Sequence, residues 1–233
     1  MSDQIISIDY LGKEKQPLIM IDNFVPDPQA LSHEALDQDF APMGPHYPGL
    51  RSAVAQERLL SFLTPIVPLI CEVFGLSRVD VIDAMYSVVT TKAQDLTPIQ
   101  RLPHFDGLET ERLALLHYLS PSSQGGTAFY RHRLSGYESI TKDRFVDYSQ
   151  KLHAEVARIG LPAPAYISGD TDLFELTKRI EARPNRALIY RGHILHCADL
   201  PEGLYMPQDA TKDELKQGRL SVNTFLMGRL RSA

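Results

Sequence analysis

His104-Phe105-Asp106 places an imidazole and a carboxylate two residues apart, on the same side of an extended strand. Far downstream, Ile189-Tyr190-Arg191-Gly192-His193-Ile194-Leu195-His196-Cys197-Ala198-Asp199 adds a second imidazole after an apolar run, and Gly218-Arg219-Leu220-Ser221-Val222-Asn223-Thr224-Phe225 follows with an arginine. Each piece alone is weak, because a His and an Asp two apart are common by chance. In order, they supply two imidazoles and one carboxylate for a metal, then a guanidinium for an organic acid. Ligands this distant in sequence meet only where remote strands fold back beside one another, as in a β-barrel or jelly roll.

Two histidines and one carboxylate can occupy one face of an octahedral ferrous ion, leaving the opposite face open for a chelating co-substrate and dioxygen. Arg219 shares its strand parity with Ser221 and Asn223, whereas Leu220, Val222 and Leu226 share the other. A polar face of that kind can point into a barrel, where the planar guanidinium fork matches a carboxylate. The plainer alternative is a surface arginine on an edge strand.

His104-Phe105-Asp106, His196 and Arg219-Leu220-Ser221 resemble the motif order of the Fe(II)/2-oxoglutarate-dependent dioxygenase superfamily, especially its prolyl-4-hydroxylase-like branch. Between them, Leu113 to Ser120 followed by Gly125-Gly126-Thr127-Ala128-Phe129-Tyr130 is similar to the strand, turn and strand after the first motif in that branch. With Phe129 to Arg133 and Asn185 to Tyr190, the whole chain also resembles a bacterial family of the same motif order, a likeness that implies no substrate. The resemblance implies Fe(II) held by His104, Asp106 and His196. It implies 2-oxoglutarate chelated through its keto acid end, with Arg219 and Ser221 at the distal carboxylate and Tyr86 beside the co-substrate. Dioxygen would be consumed, succinate and carbon dioxide released, and a C–H bond of a small-molecule or amino-acid-like substrate hydroxylated.

His193 competes with His196, three residues earlier; on a continuous strand the two face opposite sides, so both cannot be ligands of one face. Leu195-His196 fits the family's distal position, and Gly192 can interrupt the strand before it. Tyr86 has a packed-core alternative. Arg131, His132 and Arg133 could hold an anionic group or form a solvated strand face, and His117 lies among apolar residues as core histidines do. Gln100 and Arg101 stand next to the first motif and could support it. The gap from His196 to Arg219 is long, with a polar, proline-containing loop over 200–217 that could be a lid or decoration.

The chain has 233 residues, which allows one large or two small domains at ~150 residues per domain. Hydrophobic residues at 43% and charged residues at 23% are those of a folded globular chain and exclude wholesale disorder. A net charge of -5 without a run of like charges excludes a cationic surface for nucleic acid. Cys71 and Cys197 have neither paired nor metal-site spacing, so reduced thiols in a cytoplasm are expected. The first residues lack a signal pattern, and no ~18-residue apolar run suggests a membrane span.

Pro17 to Val25 is predicted as a strand, and Asp27-Pro28 as N-cap and N1 of a helix to about Gln38. Val54 to Phe74 has helical periodicity interrupted at Pro65 and Pro68 and stopping at Gly75. Strands are expected at Ile82 to Thr91, Arg112 to Leu119, Arg186 to Arg191, His196 to Asp199 and Leu220 to Met227, with a turn at Ser122 to Gly126. Ile140, Phe145, Tyr148, Leu152 and Val156 share one helical face in an insertion over 138–158. With no interdomain linker, the expectation is one domain over 1–233. A helix-rich scaffold (1–78) precedes a mainly β core (79–233), a double-stranded β-helix or cupin-like jelly roll. A homodimer is the default assembly. Two rival functions share this fold: a metal-binding sensor or partner-binding module without turnover, and a cupin-type enzyme using another divalent metal.

Overall fold

The computed structural model describes residues 3–120, 125–200 and 218–231. The chain opens with a hairpin of β1 (Ile5–Leu11) and β2 (Gln16–Asp22), turned through left-handed Gly12 and Lys15. Helix α1 (Pro28–Leu36) starts where Asp27 Oδ1 accepts from the Ala30 N–H at 2.9 Å, with Pro28 pre-set for the first turn. The expected break in the next helical stretch is observed. Helix α2 (Gln56–Leu63) passes through a short 3₁₀ turn at Thr64–Ile66 into α3 (Val67–Phe74), which Gly75 ends at φ 68°.

The remaining strands are β3 (Ala41–Pro42), β4 (Gly49–Ala53), β5 (Leu76–Val89), β6 (Arg112–Tyr118), β7 (Gly126–His132), β8 (Phe174–Glu181), β9 (Ala187–Arg191), β10 (His196–Asp199) and β11 (Leu220–Leu230). They form an antiparallel eight-stranded sheet, β1-β2-β9-β6-β11-β5-β4-β3, facing a three-stranded sheet, β10-β7-β8. This is a double-stranded β-helix with helices on its outside.

Strand alternation divides the core. Ile19, Ile21, Tyr86, Val88, Leu113, Leu115, Ile189 and Val222 pack with Leu31, Leu59, Phe62, Ile70 and Phe74 of the helices on the outer face of the large sheet. Leu18, Leu116, Tyr118, Leu188 and Tyr190 point the other way and meet Phe129 and Ile180 of the small sheet inside the barrel. Helix α4 (Phe145–Ile159) covers the small sheet's outer face, Tyr148 packing with Ala128, Tyr130 and Phe174.

Several expectations need correction. Strands β1 and β8 are additional, and β5 begins six residues before Ile82. Ile140 precedes α4 rather than sharing its face; it is core-buried beside the isolated bridge from Ser139 to Ile194. Positions 122–124 of the expected turn, and 201–217 of the proposed lid, lie outside the described residues. Both cysteines are buried and unbridged. Among the described residues, no helix is long and apolar enough to cross a membrane.

Candidate metal and co-substrate site

The segment carrying His104 and Asp106 is not a strand but a one-residue bridge laid against β10. The His104 N–H donates to the His196 carbonyl and the His196 N–H to that of His104, both at 2.8 Å, and the Asp106 N–H donates to the Gly192 carbonyl at 2.6 Å. Residues distant in sequence are thereby fixed through backbone bonds rather than through flexible side chains. Gly192 keeps the approach open, since a Cβ there would stand 3.1 Å from Arg112 Cγ and 3.4 Å from Asp106 Cβ.

The donor atoms of His104, Asp106 and His196 all lie within 4.8 Å of one another. His196 Nδ1 is 2.8 Å from the Ile194 carbonyl, an acceptor, so Nδ1 carries the proton and Nε2 keeps its lone pair. That Nε2 is 3.6 Å from Asp106 Oδ2, and His104 Nε2 is 3.8 Å from Asp106 Oδ1. Such separations exceed a hydrogen bond, yet two bonds of about 2.0–2.2 Å to a shared ion can span them. His196 is buried, Asp106 is nearly so, and the His104 side chain has half its surface open to the cavity. Desolvation, followed by repulsion from His196, Arg51 and His46, holds the His104 imidazole well below its ordinary pKa and therefore neutral. Desolvation also pushes the Asp106 carboxyl up, against the pull of His196, Arg51 and Arg112. A divalent cation would relieve that strain, because it neutralises the carboxylate where water cannot.

A cavity of about 730 Å³ opens over these three residues. On its far wall Arg219, 5% exposed, donates from Nη2 to the Gly126 carbonyl at 3.1 Å and lies 5.4 Å from the Tyr118 ring. Arg219 and Asn223 line the cavity, as strand parity anticipated, while Leu220 and Val222 join the outer core. Among the described residues, three buried polar atoms of the lining have no hydrogen-bond partner, Arg219 Nε, Tyr47 Oη and Arg51 Nε, and Ser221 Oγ, fully buried just outside the lining, is a fourth. An unpaired buried polar atom costs roughly 1–3 kcal/mol, and four clustered beside one cavity mark a place that a polar ligand completes.

Tyr86 is not among them. Its ring is fully buried on the outer face, in register with Val222 and Ser52, and its hydroxyl donates to Glu34 Oε1 at 3.0 Å. The sheet stands between it and the cavity, so its expected place beside a co-substrate is corrected to a core role. Tyr47 lines the cavity instead, with its hydroxyl pushed up by burial and pulled down by Arg219 and Arg51. Tyr47 and Arg51 were missed in the sequence because a proline-rich loop and a short strand carry no motif. The available signal is Gly49 between them, where a Cβ would lie 2.0 Å from the Val88 carbonyl oxygen.

Of the other candidates, Gln100 alone reaches the cavity lining. His193 lies across the turn at Gly192, facing an open groove with Tyr10 and Glu14. Arg131 pairs with Glu138 and Glu175, Arg133 with Asp170, and His132 Nε2 with Glu155 Oε2 at 2.9 Å. His117 Nε2 lies 3.0 Å from Asn185 Oδ1 in the outer core. Gln100 caps the turn before His104 and also donates to the Pro45 carbonyl at 3.3 Å, while Arg101 holds the Leu96 carbonyl. Both brace the loop rather than the three ligands.

A family of unknown function, DUF6445, matches residues 2–226. No curated protein matches the chain. Among solved structures, the chain is similar to HygX from Streptomyces hygroscopicus with nickel and 2-oxoglutarate bound (TM-score 0.54, 11% identity, covering 92% of this chain and 84% of that one). It is also similar to the iron-bound form of HygX (TM-score 0.50, 10% identity, 94% and 87% covered). A third similar structure is the non-heme alpha-ketoglutarate-dependent epimerase SnoN from nogalamycin biosynthesis (TM-score 0.52, 13% identity, 92% and 79% covered). At these identities the likeness establishes the shared double-stranded β-helix.

Proposed function

We propose that this chain, which belongs to the family of unknown function DUF6445, is an Fe(II)- and 2-oxoglutarate-dependent oxygenase. The observation that carries the reading is a pairing. His104, Asp106 and His196 converge within 4.8 Å, and the cavity over them is lined by Arg219 and Tyr47, each with a buried polar atom that lacks a partner among the described residues. The metal-bound and 2-oxoglutarate-bound HygX structures support it by fold.

His104, Asp106 and His196 would hold the ion, and Arg219, with the hydroxyls of Ser221 and Tyr47, would receive the distal carboxylate of 2-oxoglutarate. Bound there with dioxygen, the pair would supply the oxidising power to hydroxylate an unactivated C–H bond, with 2-oxoglutarate converted to succinate and carbon dioxide. The protein's part is orientation and the exclusion of water. His196 is fixed through Nδ1, His104 is kept neutral, and Arg219 is anchored by the Gly126 carbonyl. The cavity admits a small-molecule or amino-acid-like substrate.

Anaerobic titration of wild type, His104→Ala and Arg219→Ala with Fe(II) and 2-oxoglutarate tests this. A visible charge-transfer band is expected in wild type and absent in His104→Ala. In Arg219→Ala, half-saturation should move to about 10- to 100-fold more 2-oxoglutarate. Stoichiometric metal binding without a band in wild type would sink the reading.

A further inference from the structure

We infer that Arg51, stacked on Tyr47, anchors a carboxylate of the prime substrate, so that the enzyme acts on an organic acid with an apolar body. The inference rests on the oxygenase reading and deepens it.

Arg51 belongs to β4, in register with Ser87 of β5, which pairs with Ser221 of β11. Arg51 and Ser221 therefore share the cavity face of the sheet two strands apart, roughly 10 Å. A co-substrate between the three ligands and Arg219 leaves Arg51 to something else. Its guanidinium carbon lies 4.1 Å from the centre of the Tyr47 ring, which holds the fork in place without neutralising it. Arg51 has no acidic partner among the described residues, and its Nε is buried and unpaired.

Charge leads to the same place. Asp106 is the single carboxylate lining the cavity among the described residues. A ferrous ion, Asp106, Arg219 and a 2-oxoglutarate dianion sum to zero, and Arg51 is then a surplus cation in the cavity lining. Such a cation is stabilised by an incoming anion, and its planar fork suits a carboxylate. Much of the remaining lining is apolar, with Ile99, Leu102, Phe145, Tyr148 and Leu152 beside the polar Ser149 and His153. A ligand filling the cavity places its acid at Arg51 and its hydrocarbon against α4.

The test uses matched acids and primary amides of graded apolar size: hexanoate and hexanamide, 4-phenylbutyrate and 4-phenylbutyramide, N-benzoylglycine and its amide. Each is titrated calorimetrically into the anaerobic Fe(II)/2-oxoglutarate complex of wild type, Arg51→Gln and Arg51→Lys, with the charge-transfer band followed in parallel. Wild type is expected to prefer the acid of at least one pair by about 10- to 100-fold. Arg51→Gln should abolish the preference while retaining the band, and Arg51→Lys should keep part of it, which separates lost charge from lost fold. No acid preference in any pair, with the band intact, overturns the inference and leaves the oxygenase reading standing. Loss of the band in Arg51→Gln also overturns it, by assigning Arg51 to the co-substrate. Absence of the band in wild type is the failure of the oxygenase reading itself.

Discussion

At His117 burial acts on a proton. The imidazole is fully buried between Phe24 and Phe62, and desolvation holds its pKa down to about 4, only partly offset by the hydrogen bond to Asn185. Unfolded, it returns to about 6.5. Between those values the unfolded chain takes up a proton that the folded one refuses. Its contribution is therefore fully present above pH 6.5, falls by about 3 kcal/mol in all as pH drops to 4, and is level below. His117→Gln, which keeps a donor toward Asn185 and cannot titrate, should flatten that part of the acid limb in urea unfolding; an unchanged pH slope would assign it to other groups. A second pair of variants separates two tyrosines. Tyr86→Phe removes the bond to Glu34 and should cost about 1 kcal/mol of stability while leaving 2-oxoglutarate half-saturation alone. Tyr47→Phe should raise half-saturation by about 2- to 10-fold. Equal effects from both would contradict the assignment of Tyr47 to the cavity. Tyr86 was expected beside the co-substrate because the resembled branch often carries a tyrosine on the strand that precedes the first motif. Its direction depends on cross-strand register, Tyr86 opposite Val222, which one sequence does not specify. Parity within β11 was legible and separated Arg219, Ser221 and Asn223 from Leu220 and Val222.

The elements that escaped the sequence share a physical cause, which is weak alternation. Strand β1 is an edge strand with Ile5, Ile6, Ile8 and Tyr10 all exposed, so its apolar residues mark no buried face. Strand β8, also an edge, is mostly half-exposed and charged, and Lys178 and Arg179 obscure the buried Phe174 and Ile180, which a bulge places on opposite faces. Elements with local chemistry were readable: the Asp27-Pro28 helix start, the prolines dividing α2 from α3, the Gly75 stop, and the apolar runs of β6 and β9. Glycine at the start of β7 has a consequence the pattern does not announce. A Cβ on Gly126 would stand 2.0 Å from the Ile180 carbonyl oxygen of β8, and the Gly126 carbonyl is the one that holds Arg219. Gly126→Ala must push β7 and β8 apart, so it should cost about 1–3 kcal/mol in urea unfolding. It should also weaken 2-oxoglutarate binding, because the anchor of the guanidinium shifts with the backbone. A variant destabilised to that degree but unchanged in 2-oxoglutarate titration would show that Arg219 does not depend on this carbonyl.

At the scale of the molecule, the site is a seam. His196 lies on the small sheet, Arg219 and Arg51 on the large one, and His104 and Asp106 on the loop laid between β10 and the turn at Gly192. A ligand that touches all of these links parts that only the fold brings together, so it binds the native state and not the unfolded chain. A ligand at about 100 times its dissociation constant then adds about 2.7 kcal/mol of stability. For a domain of this size that corresponds to a rise of about 5–10 °C in Tm. The order of addition carries the information, because the keto acid end of 2-oxoglutarate needs an ion while Arg219 alone offers it one carboxylate contact. Under anaerobic conditions Fe(II) alone should raise Tm, 2-oxoglutarate alone should change it little, and the two together should exceed their sum. His104→Ala should lose the metal increment and with it most of the joint one, whereas Arg219→Ala should keep the first and lose only the second. If 2-oxoglutarate raised Tm equally with and without metal, the arginine wall would be an organic-acid receptor independent of the three ligands, and the seam would hold two sites instead of one.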